Sequence, residues 1–276
     1  TSFAAPHVSG AAALLLQKNP ELENHEIKSL LVTTVQPVSN AYGQEFSLHE
    51  SGSGRLDIAN AYNAKLIINP TNFVINLSKD QPSIEEQLEL KLIEGNLEKI
   101  DVRFEGPKFI EFTHDIKNSN LQIGLNIVEE RYGEHEGKIF INHDKIQYTI
   151  PVLIHHTEGS ISIIQENEKL FFEINHPDEW SFAKITITNS KNGNSDTIST
   201  IPDKKTSLEI YENGEYWIDA KIKINGNTSD AFNTIKINSL SEKIEKSELR
   251  DIPEKQIILI VSMIVIIGIV GLIIRK

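Results

Sequence analysis

The sequence predicts a multidomain protein with three kinds of structure in succession: an alanine-rich helical segment, two β-sandwich domains and one C-terminal transmembrane helix. Three observations carry this. Ala4, Ala5 and Ala11–Ala13 cluster before Asn19-Pro20, a small-residue composition that favours a closely packed helix, followed by a stop. After Ala64 the texture changes to period-two alternation, which is the signature of half-buried strands. The final stretch, Ile257 to Ile274, contains no charged residue.

The composition allows this organisation and excludes several functions. The chain has 276 residues, of which 39% are hydrophobic and 7% aromatic, enough to bury more than one core. Lys and Arg number 27 against 39 Asp and Glu, a net charge of −12. No cluster of basic side chains is present to meet phosphates, so nucleic acid is excluded as a partner. The absence of cysteine removes disulfides, thiolate metal sites and a Cys nucleophile. It does not locate the protein, since many prokaryotic surface proteins, the class expected here, also do without cysteine.

At the N-terminus, Thr1-Ser2-Phe3-Ala4-Ala5-Pro6-His7-Val8-Ser9-Gly10-Ala11-Ala12-Ala13-Leu14 resembles the nucleophile segment of subtilisin-like serine proteases. That family reads Gly-Thr-Ser-x-Ala-x-Pro-His-Val-x-Gly-x-x-Ala here, and only the leading Gly is missing. Asn24-His25-Glu26-Ile27-Lys28-Ser29-Leu30-Leu31 resembles the family's next helix. Gly52-Ser53-Gly54-Arg55-Leu56-Asp57-Ile58-Ala59-Asn60-Ala61-Tyr62 resembles its closing Gly-x-Gly signature. On this resemblance residues 1–64 are the C-terminal helical fragment of an α/β subtilisin-like catalytic domain.

The resemblance implies that Ser2 is the nucleophile and that its own backbone N–H is half of the oxyanion hole. Elementary physics agrees, because a helix N-terminus presents unpaired N–H groups and a positive dipole end to a developing oxyanion. Pro6 is tolerated in the first turn for the same reason. A Ser at that place also serves as a plain N-cap. His7 is the nearest base in sequence, but five residues along a helix is about 500°, which turns its ring roughly 140° away from Ser2. His7 is therefore expected to be structural.

The family orders its triad Asp, His, Ser, so the Asp, the His and the oxyanion-hole Asn are expected upstream, where structural calcium would also be bound. The sequence begins without Met and without a signal peptide, which fits either processing or membership of a longer chain. Thr1 could act as an N-terminal nucleophile by position alone, yet nothing after it resembles the start of such a hydrolase. No cofactor or metal is implied by the residues given.

The middle of the chain reads as two β-modules. In residues 68–156, Leu88, Leu90 and Leu92 alternate with charges, as do Leu121, Ile123, Leu125 and Ile127 with polar residues. Ile146, Tyr148, Ile150, Val152 and Ile154 share one strand face, with Gly137–Ile141 as the hairpin partner and Asn142-His143-Asp144 as the turn. Residues 158–240 repeat the pattern, with Ile185 and Ile187 before a turn at Lys191–Asn194, and Tyr216, Ile218, Ala220, Ile222 and Ile224 after Asn213-Gly214. Gly214-Glu215-Tyr216 resembles a tyrosine corner. The layout resembles the Ig or fibronectin modules that often follow subtilisin-like catalytic domains, for which spacing or substrate presentation is the expected role.

Other features are weaker. His155 and His156 are adjacent on a strand and point to opposite faces, which suits a metal badly. Glu129, Glu130, Glu134 and Glu136 lack calcium-loop spacing and read as a solvated acidic loop. Asn76-Leu77-Ser78 and Asn227-Thr228-Ser229 fit the glycosylation pattern.

Residues 241–256 read as a charged juxtamembrane stalk. Residues 257–274 span roughly 27 Å as a helix, about the thickness of a bilayer's hydrocarbon. Arg275 and Lys276 would stay in the cytoplasm and leave the bulk outside. The expected protein is a single-pass, cell-surface serine endopeptidase acting on polypeptides, with the lipid bilayer as its second partner. The alternative is a non-catalytic adhesion or scaffold protein carrying a protease-like remnant.

Overall fold

In a computed structural model of the chain, which describes residues 2–97 and 100–238, four helices lead into fifteen strands. The helices are α1 (Ala4–Lys18), α2 (Asn24–Thr33), α3 (Leu48–Ser51) and α4 (Ile58–Asn63). The expected stalk at 241–256 and span at 257–274 lie outside the described residues. Among the described residues no helix is long and apolar enough to cross a membrane.

The helix starts are set by local side chains. At the start of α2 the Glu23 carboxylate accepts from the third helical N–H while Glu26 accepts from the Glu23 N–H, and Ser47 and Glu50 make the same reciprocal cap on α3. Asp57 opens α4 by accepting from the Asn60 N–H at 2.9 Å and from Gln36 Nε2 at 2.9 Å.

The Gly-x-Gly signature has a backbone cause. Gly54 sits at φ +135°, and a Cβ there would lie 2.5 Å from the carbonyl oxygen of Gln36. That carbonyl is already bonded to the Arg55 N–H at 2.8 Å. The chain turns back onto residue 36 only with glycine at this position.

The first sandwich uses β1 (Leu66–Asn69), β2 (Phe73–Ser78), β3 (Ser83–Leu92), β4 (Asp101–Glu105), β5 (Ile110–Lys117), β6 (Asn120–Ile127), β7 (Gly133–His143) and β8 (Ile146–Thr157). One sheet runs β1-β3-β6-β5 and the other β2-β8-β7-β4. All pairings are antiparallel except β2 with β8, where Ile75 lies opposite Ile154. The alternating residues of β3, β6 and β8 face inward, and Tyr148, Ile150, Val152 and Ile154 are fully buried.

The second sandwich uses β9 (Ser160–Glu166), β10 (Lys169–Asn175), β11 (Phe182–Asn189), β12 (Ser195–Thr200), β13 (Thr206–Glu209), β14 (Gly214–Ile224) and β15 (Asn227–Ile237). Its sheets run β13-β10-β9 and β12-β11-β14-β15. Burial alternates along β14 from Tyr216 to Ile224. The Tyr216 hydroxyl donates to the Glu212 carbonyl at 2.8 Å, which is the geometry of a tyrosine corner.

The helical segment and the first sandwich share one core. Ala11 and Leu15 of α1, Ile27, Leu30 and Leu31 of α2 and Ala61 of α4 belong to the same buried cluster as Leu66, Ile68, Leu88, Leu121 and Tyr148. Polar contacts tie the same seam. Ser29 Oγ donates to the Ile68 carbonyl at 2.8 Å and accepts from the Ile68 N–H at 2.9 Å. The Tyr148 hydroxyl accepts from the Lys65 and Leu66 N–H groups at 3.0 and 3.1 Å.

Candidate functional site

Ser2 stands in the turn just before α1, exposed to solvent. Phe3 follows as the N-cap, 90% exposed and without a side-chain cap. The first-turn N–H groups of α1 are therefore free of a capping side chain, as an anion-accepting helix end requires. His7 Nδ1 lies 2.7 Å from the Phe3 carbonyl and, as the donor, bonds back along the helix. Among the described residues no imidazole is hydrogen-bonded to Ser2, so the structure brings the serine and a helix end together without a base.

The direction of α1 is fixed at its far end. Lys18 Nζ donates to the Tyr62 carbonyl at 2.5 Å and lies 4.7 Å from the Tyr62 ring centroid. Only Ala11 and Leu15 of α1 are buried. Val8, Leu14 and Leu16 are apolar yet 40–46% exposed, and a Cβ on Gly10 would meet open space. An α-helix in water normally turns its apolar residues to one side, so this one is apolar on more faces than its neighbours cover.

The support beneath α1 contains a paired buried charge. Glu26 of α2 is 2% exposed and bonds Lys91 of β3. Burial pushes its carboxyl up, but the Lys91 ammonium and the Glu23 backbone N–H outweigh it and hold the pKa below the usual value. Asp57 is likewise lowered, chiefly by the Asn60 N–H and against burial. Both acids act on structure.

The remaining sequence candidates are distributed elsewhere. Glu134 and Glu136 do not lie in a solvated loop; they are on β7 and bind the helical segment. Glu136 accepts from the Leu48 N–H with both oxygens, at 2.9 and 3.0 Å. Glu134 meets His49 Nε2 at 2.6 Å, and Lys138, two residues further on the same face, pairs with Glu45. The strand is hidden in the sequence because opposite the charged face the first half of β7 carries only Gly133, His135 and Gly137, with no apolar side chain to mark the alternation.

His155 and His156 do point apart. His156 is 1% exposed, with its ring 4.7 Å from Tyr132, and Nδ1 donates to the Arg131 carbonyl at 2.8 Å. His155 faces the second sandwich. Among the described residues no group of His, Asp and Glu stands ready to hold a metal ion. Asn76 is half-buried on β2, whereas Asn227 is exposed at the β14–β15 hairpin.

Residues 1–54 match the subtilase family, peptidase S8. The chain is similar to a subtilisin-like protease of Arabidopsis thaliana, 38% identical over 80 residues, which is 26% of this chain and 10% of that protein. It is also similar to the minor extracellular protease Vpr of Bacillus subtilis, 21% identical over 168 residues, covering 56% of this chain and 21% of that one. The autotransporter lipoprotein NalP of Neisseria meningitidis is 44% identical over 63 residues, 23% of this chain and 6% of that one.

Among solved structures, the FN1–FN3 domains of chicken CNTN1 align with 64% of this chain and 66% of theirs at 11% identity and a TM-score of 0.25. The adhesin InvE of Yersinia pseudotuberculosis aligns with 68% of this chain and 62% of its own at 14% identity and a TM-score of 0.25. The chain spans at most about a fifth of the length of these curated relatives. Its N-terminal segment is a subtilase serine-peptidase segment, followed by β-sandwich domains.

Proposed function

We propose that the chain is the C-terminal part of a cell-surface, membrane-anchored serine endopeptidase that hydrolyses peptide bonds through an acyl-enzyme on Ser2. The observation that carries this reading is the Thr1–Ala13 motif, in a matched subtilase segment, with its serine at the uncapped end of α1. Ser2 Oγ attacks the scissile carbonyl and gives its proton to a His supplied by a preceding part of the protein. That His, oriented by an Asp, then protonates the leaving amine, and water releases the acyl group. The Ser2 backbone N–H and a further donor from the preceding part stabilise the oxyanion. The exposed apolar sides of α1 at Val8, Leu14 and Leu16 are the surface on which that preceding part packs.

Residues 257–274 form the membrane span in this reading, with Arg275 and Lys276 in the cytoplasm and the catalytic segment outside a prokaryotic cell. The Bacillus subtilis relative is by name an extracellular protease. Polypeptides are the substrates. Calcium, if the whole enzyme holds it, belongs to the preceding part.

The test is fluorophosphonate labelling of the C-terminally tagged protein in its own membrane fraction. The expected result is a labelled membrane band well above 31.1 kDa. Ser2→Ala abolishes the label and lowers peptidase activity by on the order of 10^6-fold, the effect of removing a triad nucleophile. Labelling that survives Ser2→Ala removes Ser2 from the chemistry. An unlabelled band near 31.1 kDa replaces the enzyme with a surface scaffold.

A further inference from the structure

The two sandwiches and the helical segment meet at a cleft of about 700 Å³. On one wall His155 projects from β8, its side chain 16% exposed. Its ring stacks on Phe232 of β15 with centroids 3.9 Å apart and planes 25° from parallel. This stack is an aromatic contact between the first and second sandwiches. Glu134 of β7 stands beside it, with one oxygen 3.9 Å from His155 Nδ1 and the other 2.6 Å from His49 Nε2 on α3.

We propose that Glu134, claimed by His49 on one side and faced by His155 on the other, makes this junction a pH-responsive joint in which acid releases the second sandwich from the first. The geometry sets the order of events. A separation of 2.6 Å is a charge-assisted hydrogen bond, whereas 3.9 Å is too long for one. His49 is therefore the first ring to gain a proton as pH falls, and in doing so it commits the carboxylate. His155 then faces a spoken-for Glu134 and a new neighbouring cation.

The other charged groups around His155 leave this unchanged. Asp219 of β14 lies across the cleft and favours its charged form, but Lys221 of β14 and Asp230 of β15 are paired with each other at 2.6 Å. The net effect follows burial, which together with His49 pushes the His155 pKa below its ordinary value against the pull of Glu134 and Asp219. The His49 pKa is raised by its bond to Glu134.

The signs then run in opposite directions. The stack holds at full strength above the ordinary histidine value of about 6.5 and is lost as pH falls through the lowered His155 pKa. The His49 bond is complete below about 6.5 and weakens only as pH rises through its raised value. Acid thus opens the sandwich contact while α3 stays docked, held also by Glu136 and Lys138.

The protein has no cysteine, so spin labels at Glu111→Cys on β5 and Lys191→Cys in the β11–β12 turn report the angle between the sandwiches by pulsed dipolar spectroscopy of the full chain. One narrow distance population is expected at pH 8, and its loss to a broad one at pH 5. His155→Phe, which keeps the stack without a titratable ring, holds the narrow population at both pH values, whereas His155→Gln, which removes the stack, is broad at both. His49→Gln frees Glu134 to stabilise a charged His155 in place, so the acid response shrinks. A wild-type distance that does not change with pH overturns the proposal. So does a pH response as large as the wild type's in either His155 variant, or an undiminished one in His49→Gln.

Discussion

Ser29 joins two stretches of chain 39 residues apart with one hydroxyl, bonding both the N–H and the carbonyl of Ile68. It is 1% exposed and Ile68 is fully buried, so water cannot replace either bond. Ser29→Ala strands a buried donor and a buried acceptor and costs about 1–3 kcal/mol, read as a lower urea midpoint by far-UV circular dichroism. An unchanged midpoint would mean that β1 relaxes onto other partners. Ser29 was legible in the sequence only as part of a helix resembling the subtilase family. Nothing local announces that its partner is Ile68, because the pairing is made by the register of β1 against α2. Ser2 is the opposite case, since its motif is contiguous and needs no distant partner to be read.

Single elements differ in legibility for a physical reason. The strand β8 is plain in the sequence because Tyr148, Ile150, Val152 and Ile154 mark one face without interruption. Its neighbour β7 is plain only from Gly137 to Ile141, because Glu134, His135 and Glu136 put polar groups on both faces where the strand leaves the core. Glu134 and Glu136, with Lys138 further along the same face, are the clamp on the helical segment, through His49, the Leu48 N–H and Glu45. Glu136 gives α3 its main anchor, since a carboxylate accepting from a backbone N–H is a strong bond. Glu136→Ala is expected to speed hydrogen exchange at Leu48 and loosen α3 by about 1.5–3 kcal/mol, while β8 amides keep their protection. Equal acceleration in β8 would instead mean that the substitution damages the sandwich itself.

The whole molecule divides differently from its sequence textures. Composition changes sharply after Ala64, yet the buried cluster runs without a break from Ala11 and Leu30 through Leu66 to Tyr148 and Ile154. The second sandwich has an interior of its own, in which Ile161, Phe172, Ile185, Ile218 and Ile222 are at most 2% exposed. That asymmetry makes a prediction about fragments. Residues 2–64 produced alone expose Leu30, Ala61 and Leu15 to water, and a segment this small has no second core to offset the loss. Residues 158–238 lose a limited contact, chiefly Phe232 on His155, and keep both of their sheets. The longer fragment is expected to give dispersed amide resonances and cooperative unfolding, and the shorter one collapsed, poorly dispersed spectra. Joining residues 2–64 to 65–157 restores dispersion, because Ile68 and Tyr148 return to Ser29 and the Leu66 N–H. A folded 2–64 would show that the helices need no sandwich, and the first β-domain would then be a spacer. An unfolded 2–64 makes that domain part of what holds the serine helix in place.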